Sequence, residues 1–383
     1  MTFGESQERQ ALRAAVRDLG GKYGREYYMS RARGGGKMTE LWSEAGSLGY
    51  LGVHIPAEHG GGGGGIGDLA AVLEELATAG CPLLMMVVSP AICATVISRF
   101  GTEDQKAKWL PGLCDGSLIF AFAITEPDAG SNSHRLTTTA TRDGNEWILN
   151  GRKVFISGVD DAQAVLVVAR TADARTGKLK PALFVVPTDS FEYKKIDTEL
   201  VACEKQFALF FDDVRVPADA LVGSEDAGLV QLFAGLNPER IMAASFSTGL
   251  ARYALNRAVD YAKTRTVWDA PIGAHQAIAH PLAVAHINVE LSRLMTQKAA
   301  ALYDSGDDFG AGEAANMAKY AAAEAAVAAV DQAVHTHGGN GLATEYGLAS
   351  MLAAARLGRI APVSREMVLN FVAQNSLGLP RSY

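Results

Sequence analysis

Cysteine is scarce and unpaired in this sequence. The four cysteines, Cys81, Cys93, Cys114 and Cys203, are scattered, and no two form a CxxC pair. That spacing argues against a zinc site and a disulfide framework, and it fits a reduced, cytoplasmic compartment. Basic tracts are missing as well: no run of five or more lysines and arginines occurs, and the formal net charge is −7. A nucleic-acid partner is therefore not expected, and an anionic ligand would be met by local groups rather than by a global positive field. The opening residues MTFGESQERQALRAAVRDLG are polar and helical in pattern, unlike a secretory signal. The apolar run 81–97 is broken by Pro82, Ser89 and Pro90, so it reads as buried helix rather than a membrane span.

What is present suffices for a large core. With 383 residues, 48% hydrophobic and 20% charged, the chain predicts two or three globular domains. Residues 1–116 read as helical, with Leu12, Val16 and Leu19 on one face and Leu69, Val72, Leu73 and Leu76 on another. Six glycines, 60–65, contain a GxGxxG match, but no strand precedes them and no acidic residue ends a following one. A flexible surface loop is expected there, not a dinucleotide fingerprint.

Residues 117–222 are dense in Val, Ile, Phe and Thr. Turns at Asp143-Gly144-Asn145 and Asn150-Gly151 predict hairpins among strands at 137–142, 147–149 and 153–157. Segments 164–169, 182–186 and 207–211 add short apolar strands. Residues 223–383 return to helix: Leu250, Ala254, Ala258 and Tyr261 make one stripe, and Val284, Leu291, Leu294, Lys298 and Leu302 trace another. The expected fold class is α+β, with an N-terminal helical domain, a middle antiparallel sheet or barrel, and a C-terminal four-helix bundle.

The segment Ile124-Thr125-Glu126-Pro127-Asp128-Ala129-Gly130-Ser131-Asn132 follows the apolar run 118–123, which reads as a strand. A bend so placed can hold the polar edge of a flat, electron-rich ligand through main-chain N–H groups. On spacing alone an ordinary loop is the better reading. Four motifs together change that: AITEPDAGSN, GRKVFISG, LNPER, and RTVWDAPIGAHQAI with HGGNGLATEY. On these the chain resembles the acyl-CoA dehydrogenase family over nearly all its length.

The resemblance implies FAD. Phe122, Ile124 and Thr125 would line the isoalloxazine ring. Gly130 lies in the same bend, and Ser131 would touch flavin phosphate or the acyl thioester. Phe155 and Ser157 would cover the ring's other side. Arg265 would reach the cofactor pyrophosphate of a neighbouring subunit, with Trp268 and Gln276 beside it. Gly338, Gly339 and Gly341 would approach the adenosine half, and His335 stands where a glutamine often binds cofactor. Ser364 and Glu366 match further cofactor contacts. A homodimer or homotetramer is implied, with an acyl-CoA or acyl-carrier-protein thioester as substrate and an electron-transfer flavoprotein as acceptor.

In many members the base follows the glycine motif, but the matching position here is Pro362. Isovaleryl- and long-chain-type members carry the carboxylate earlier, which matches Glu239 in Asn237-Pro238-Glu239-Arg240-Ile241, with Arg240 on the substrate side. Read locally, Asn237 is an N-cap and Pro238 a first helical residue. Glu239 would then sit in a first turn, where the helix dipole favours its anion by roughly 0.3–1 kcal/mol. Glu366 is the alternative carboxylate, and Glu126 is structural in the family. Asn132, Gly158, His335 and the polar Ser133-His134-Arg135 depart from the usual pattern. They point to a specialised pathway and a short or branched acyl chain. An oxidase-like flavoenzyme and a flavin-binding member without activity remain open.

Overall fold

The computed structural model describes residues 5–381, apart from 174–175 and 226–227. Six helices come first: α1 (Gln7–Arg33), α2 (Thr39–Ser47), α3 (Ile66–Thr78), α4 (Met85–Val88), α5 (Thr95–Phe100) and α6 (Glu103–Asp115). The apolar faces read from spacing are buried, Val16 and Leu19 on α1 and Leu69, Val72, Leu73 and Leu76 on α3. The run 81–97 is also buried, with a π-helical segment, Ser89–Ala94, between α4 and α5.

The six glycines form a packed loop, not the flexible one expected. Gly62, Gly63 and Gly64 donate to the carbonyls of Gly52, Ile55 and Val53 at 3.0, 2.8 and 2.8 Å. Asp304 accepts from the N–H groups of Ile66 (2.7 Å) and Gly67 (3.1 Å), which places an anion at the start of α3. Space demands glycine: a Cβ on Gly61 would lie 2.1 Å from the Ile55 carbonyl oxygen.

Seven strands follow: β1 (Phe120–Ala123), β2 (Thr139–Asp143), β3 (Glu146–Ser157), β4 (Ala164–Ala172), β5 (Leu179–Pro187), β6 (Glu192–Ile196) and β7 (Gln206–Pro217). They form one sheet in the order β1-β4-β2-β3-β7-β6, with β5 also on β4. The sheet is mixed where an antiparallel one was expected. The chain reverses twice, into β3 and out of it, so β4 returns parallel to β1 and β2. β4 is buried on both faces: Ala164, Leu166 and Val168 pack toward the helices, while Val165, Val167 and Ala169 pack toward the sheet's own core.

The turn at Gly144 is a hairpin as read, with Asp143 paired to Glu146. Asn150-Gly151 is not a turn. β3 runs through it with a bulge against β7, and the Asn150 Nδ2 donates to Asp213 at 2.9 Å across the sheet. The long partner strand outweighs the local turn chemistry. β6, with the sequence EYKKI, is too polar to read as a strand and forms a charged edge.

Three long helices dominate the remainder: α7 (Gly228–Thr264), α8 (Gln276–Asp304) and α9 (Asp308–His337). Shorter α10 (Gly339–Leu342), α11 (Met351–Ile360) and α12 (Arg365–Phe371) follow, and α11 packs on α9 as the fourth bundle member. A small hairpin, β8 (Thr266–Val267) and β9 (Ala270–Pro271), joins α7 to α8. Alanines 315, 318, 322, 326, 329 and 333 are the buried face of α9, which lets its neighbours approach closely. The α8 stripe read from spacing is on the outside: Val284, Leu291 and Leu294 are over half exposed, as is Ile287. The bundle face is Leu282, Ala285, Val289, Ser292, Thr296 and Ala299. α8 is apolar on two sides, and periodicity cannot rank them.

Charges tie the first helices to the bundle. Arg13 on α1 meets Glu74 and Glu75 on α3 at 3.0 and 2.9 Å. Arg252 on α7 and Arg293 on α8 reach Glu74 at 2.6 and 3.1 Å.

Gly61→Ala tests the packed loop. It is expected to lower stability by about 1–3 kcal/mol through the forced overlap, read as an earlier urea midpoint. A midpoint equal to the parent's would restore the flexible-loop reading.

Candidate functional site

The bend after β1 is held by a buried ion pair. Lys153 on β3 is fully buried, and its Nζ donates to Glu126 at 2.9 Å and to the Ile124 carbonyl at 3.0 Å. Glu126 also accepts from the N–H groups of Thr137 (2.6 Å) and Thr138 (2.9 Å) and from the Thr137 hydroxyl (2.8 Å). Burial opposes the charge on Glu126, but Thr138, Lys153 and Thr137 outweigh it and hold the carboxyl at about 2. The Val154 N–H donates to the Thr125 carbonyl at 2.9 Å, so β3 and the bend are tied directly.

This clamp brings two of the sequence motifs to one edge. Phe122 is buried behind the bend, while Ile124 and Thr125 are half-buried at its surface. Phe155 is 62% exposed and holds φ 55, in the left-handed region. Ser157 is half-buried and accepts from Gln206 Nε2 at 3.0 Å. Gly130 and Ser131 are exposed. An aromatic face left bare on a strained backbone beside a polar bend suits a flat, partly polar ring.

Glu239 is not where the local reading put it. α7 begins at Gly228, so Asn237 is no N-cap and Pro238 lies inside the helix. The dipole argument for Glu239 therefore falls. Proline at 238 has no N–H for the Ala234 carbonyl, and the Tyr303 hydroxyl donates to that carbonyl instead at 3.2 Å. Asn237 Nδ2 donates to the Asp308 carbonyl at 3.0 Å, and Arg240 Nη1 to Asn237 Oδ1 at 3.3 Å.

Burial raises the Glu239 carboxyl to about 7, against the pull of Arg240 and Lys319. The residue keeps partial surface exposure although its carboxyl group is surrounded by protein. Cys93, in the π-helical segment, feels Glu239 electrostatically and directs its thiol to the Ala121 carbonyl at 3.6 Å. Lys319 on α9 is 2% exposed, and its Nζ donates to the carbonyl of Val363, the residue after Pro362. Lys319 thus bonds beside one candidate position for a base and acts electrostatically on the other. Glu366 is exposed and pairs loosely with Arg365 at 3.6 Å, so it lacks the surroundings of Glu239. Ser364 caps α12, accepting from the Met367 N–H at 3.3 Å.

The remaining predicted residues gather at the far end of α7. Arg265 and Gln276 are exposed, and Trp268 is 85% exposed at φ 50 in the β8–β9 turn. His335 is exposed. The satisfied helix-end histidine is His337, buried and stacked on Tyr261 with ring centres 4.2 Å apart. Gly338 and Gly339 are open to approach. Gly341 is not: a Cβ there would lie 2.3 Å from the Val334 carbonyl oxygen, so it serves packing on α9. Asn340 Nδ2 donates to the hydroxyls of Tyr261 (3.0 Å) and Tyr346 (3.2 Å), which ties the glycine turn to the turn of α7 preceding Arg265. At 1.5 Å per residue, Arg265 stands about 39 Å along the helix from Glu239.

Lys153, Cys93, Tyr303 and Lys319 escaped the sequence reading. Lys319 alone left a signal, as a charged residue amid the alanines of α9. No group of three metal-ligating side chains occurs among the described residues.

N-terminal helices, a mixed sheet and a C-terminal helical bundle make up the acyl-CoA dehydrogenase fold. Family models match in the same order: acyl-CoA dehydrogenase N-terminal domain over residues 6–117, middle domain over 121–214 and C-terminal domain over 226–377. Acyl-CoA dehydrogenase FadE12 of Mycobacterium tuberculosis is 67% identical over 384 residues, covering 100% of this chain and 99% of its own. A glutaryl-coenzyme A dehydrogenase–glutaryl-CoA complex is 30% identical with TM-score 0.93, covering 100% of this chain and 98% of that one. A glutaryl-CoA dehydrogenase from Mycobacterium smegmatis in complex with FADH2 is 26% identical with TM-score 0.91, covering 99% of this chain and 96% of that one. The chain belongs to the acyl-CoA dehydrogenase family.

Lys153→Met would strand Glu126 in the interior at an expected cost of about 3–5 kcal/mol at neutral pH. The depressed Glu126 value adds stability above its ordinary 4.5, lost as pH falls from there through about 2. Calorimetry should therefore find the gap between variant and parent narrowing in acid. A gap independent of pH would mean that the pair does not control the bend.

Proposed function

We propose that this protein is an FAD-dependent acyl-thioester dehydrogenase with Glu239 as its base. The observation that carries the reading is a carboxyl group enclosed in the interior that acts electrostatically on Cys93, whose thiol bonds the strand leading into the flavin motif, while the alternative position is Pro362. FAD, when bound, supplies the hydride acceptor. Ile124, Thr125, Phe155 and Ser157 are the residues placed to hold its ring, with Phe122, Gly130 and Ser131 around them. Glu239 removes the proton beside the thioester carbonyl, a role that typically contributes about 10²–10⁴ in rate. The Arg240 Nε is buried and has no partner among the described residues, which leaves it free to donate to the substrate. Ile92 of the π-helical segment, Val96 of α5 and Leu236 of α7 share one apolar cluster, which suits the exclusion of water from the reacting carbons.

The substrate is an acyl-CoA or acyl-carrier-protein thioester with a short or branched chain, and an electron-transfer flavoprotein takes the electrons. A homodimer or homotetramer in the cytoplasm fits two observations. Arg265, Trp268, Gln276, His335, Gly338 and Gly339 gather around the C-terminal end of α7, too far from their own Glu239 to serve the ring near it, so they suit a neighbour's cofactor. The bare α8 face of Val284, Ile287, Leu291 and Leu294 suits a subunit contact. Ser364 and Glu366 complete the cofactor set. A flavin-binding member without a base is the rival that Pro362 favours, and it predicts no bleaching by any thioester.

Anaerobic titration with a panel of acyl-CoA and acyl-carrier-protein thioesters tests the reading through flavin absorbance. Glu239→Gln should keep the yellow colour and slow reduction more than tenfold. Unchanged reduction in that variant removes Glu239 from the mechanism. In the parent protein the reduction rate should rise with pH through about 7, as the carboxyl ionises. Arg265→Ala should lower flavin occupancy, and full occupancy would count against a shared cofactor.

A further inference from the structure

Gly235 brings the main chain of α7 directly against Ile92 of the π-helical segment and Val96 of α5. A Cβ at Gly235 would lie 3.0 Å from the Cγ2 atoms of both side chains, inside ordinary van der Waals contact, and 3.7 Å from the Ile92 carbonyl oxygen. The two methyl groups therefore rest on bare backbone, and one more methyl group would have to push the elements apart. Both side chains are buried.

Neighbouring bonds hold the contact from both sides. The Phe120 N–H donates to Ser89 Oγ at 3.0 Å, and the Cys93 thiol is directed to the Ala121 carbonyl at 3.6 Å, so the π-helical segment is tied twice to β1. His54 Nε2 bonds the Pro90 carbonyl at 3.1 Å. On α7, the residues flanking the glycine are held as well: Tyr303 bonds the Ala234 carbonyl at 3.2 Å, and Asn237, two residues on, bonds the Asp308 carbonyl at 3.0 Å.

This contact is close to the base along the chain. Gly235 precedes Glu239 by four residues, which puts both on one face of α7 about 6 Å apart along the axis. Side chains on a helix lean toward its N-terminus, so Glu239 reaches over the turn that contains Gly235. A carbon within reach of the carboxylate therefore has Ile92 and Val96 beneath it, with Leu232 and Leu236 in the same apolar cluster. Resting on Glu239 as the base, we propose that Gly235, Ile92 and Val96 form the floor of the acyl site and restrict it to short chains. The glycine sets the depth: it lets the two branched side chains come up to the helix backbone, where a longer acyl tail would otherwise pass.

The test reads chain length as a ratio of rates. Flavin-loaded protein is bleached anaerobically with butyryl-, octanoyl- and dodecanoyl-CoA. In the parent, dodecanoyl-CoA should be slower than butyryl-CoA by about tenfold or more, since even one methylene at a closed apolar wall is worth roughly 10–200-fold. Ile92→Ala and Val96→Ala lower the floor and should each raise the dodecanoyl-to-butyryl ratio by about tenfold, with flavin content equal to the parent's. A parent bleached equally fast by both thioesters overturns the inference without any variant. Parent-like ratios in both flavin-loaded variants overturn it too, as does loss of flavin from both, since the contact would then serve helix packing alone. Failure of the base is read separately. If Glu239→Gln is reduced normally, the base reading falls and the floor with it, whereas a slowed Glu239→Gln with unmoved ratios in the alanine variants rejects the floor alone.

Discussion

Enclosing a carboxyl group in the middle of a 37-residue helix, far from either helix end, sets the terms for the structure around it. A helix terminus would have offered dipole and free N–H groups to an anion. Mid-helix, Glu239 has its neighbour Arg240 and what other elements bring. Lys319 on α9 and Cys93 in the π-helical segment are coupled to it electrostatically, so its surroundings depend on separate parts of the chain packing together. Pro238 adds a second demand, since it frees the Ala234 carbonyl, and α8 answers through Tyr303. Bundle packing and site chemistry are thus one set of contacts.

The same rule recurs wherever charge is buried. Glu126 and Lys153 join the bend after β1 to β3, and the bend's N–H groups complete the carboxylate's shell. Arg13, Glu74, Glu75, Arg252 and Arg293 join the first helices to α7 and α8. Each cluster costs desolvation and is stable only with its partners in place. Their common effect is registry: the bend is fixed on the sheet, and α1 and α3 on α7 and α8, by groups that tolerate little displacement. That is what a reaction between a carboxylate and a flat ring on opposite sides of a substrate requires.

Much of this was legible. The helical faces of α1 and α3, the strands 164–169 and 182–186 and the Gly144 hairpin followed from period and turn chemistry. The errors came where long partners override local signals. Asn150-Gly151 has the chemistry of a hairpin, but β7 extends past it and converts it to a bulge. Asn237-Pro238 has the chemistry of a helix start, but the apolar residues before it already pack as helix, and Tyr303 removes the cost of the proline. The glycine run lacks side chains to signal packing, because its order comes from carbonyls at 52–55 and from Asp304. α8 carries two apolar faces, and only the fold decides which is inside. Phe155 and Trp268 illustrate the reverse case: both were named from motifs, and both are exposed aromatics on left-handed backbone, a combination that packing alone does not favour.

The replacement of a carboxylate by Pro362 becomes intelligible from the position of Lys319. Its ammonium is buried, bonds the carbonyl next to Pro362 and feels the Glu239 carboxyl electrostatically. Carboxylates at both positions would each have to be taken out of water, and each would oppose the other's ionisation. On the proposed reading the site therefore needs one acid group and has two places to put it. With proline at 362 the turn carries no acid side chain, and Lys319 holds it through the Val363 carbonyl. On that reading the acid group is kept while its place in the sequence changes, and for that reason the residue count from the glycine motif misleads.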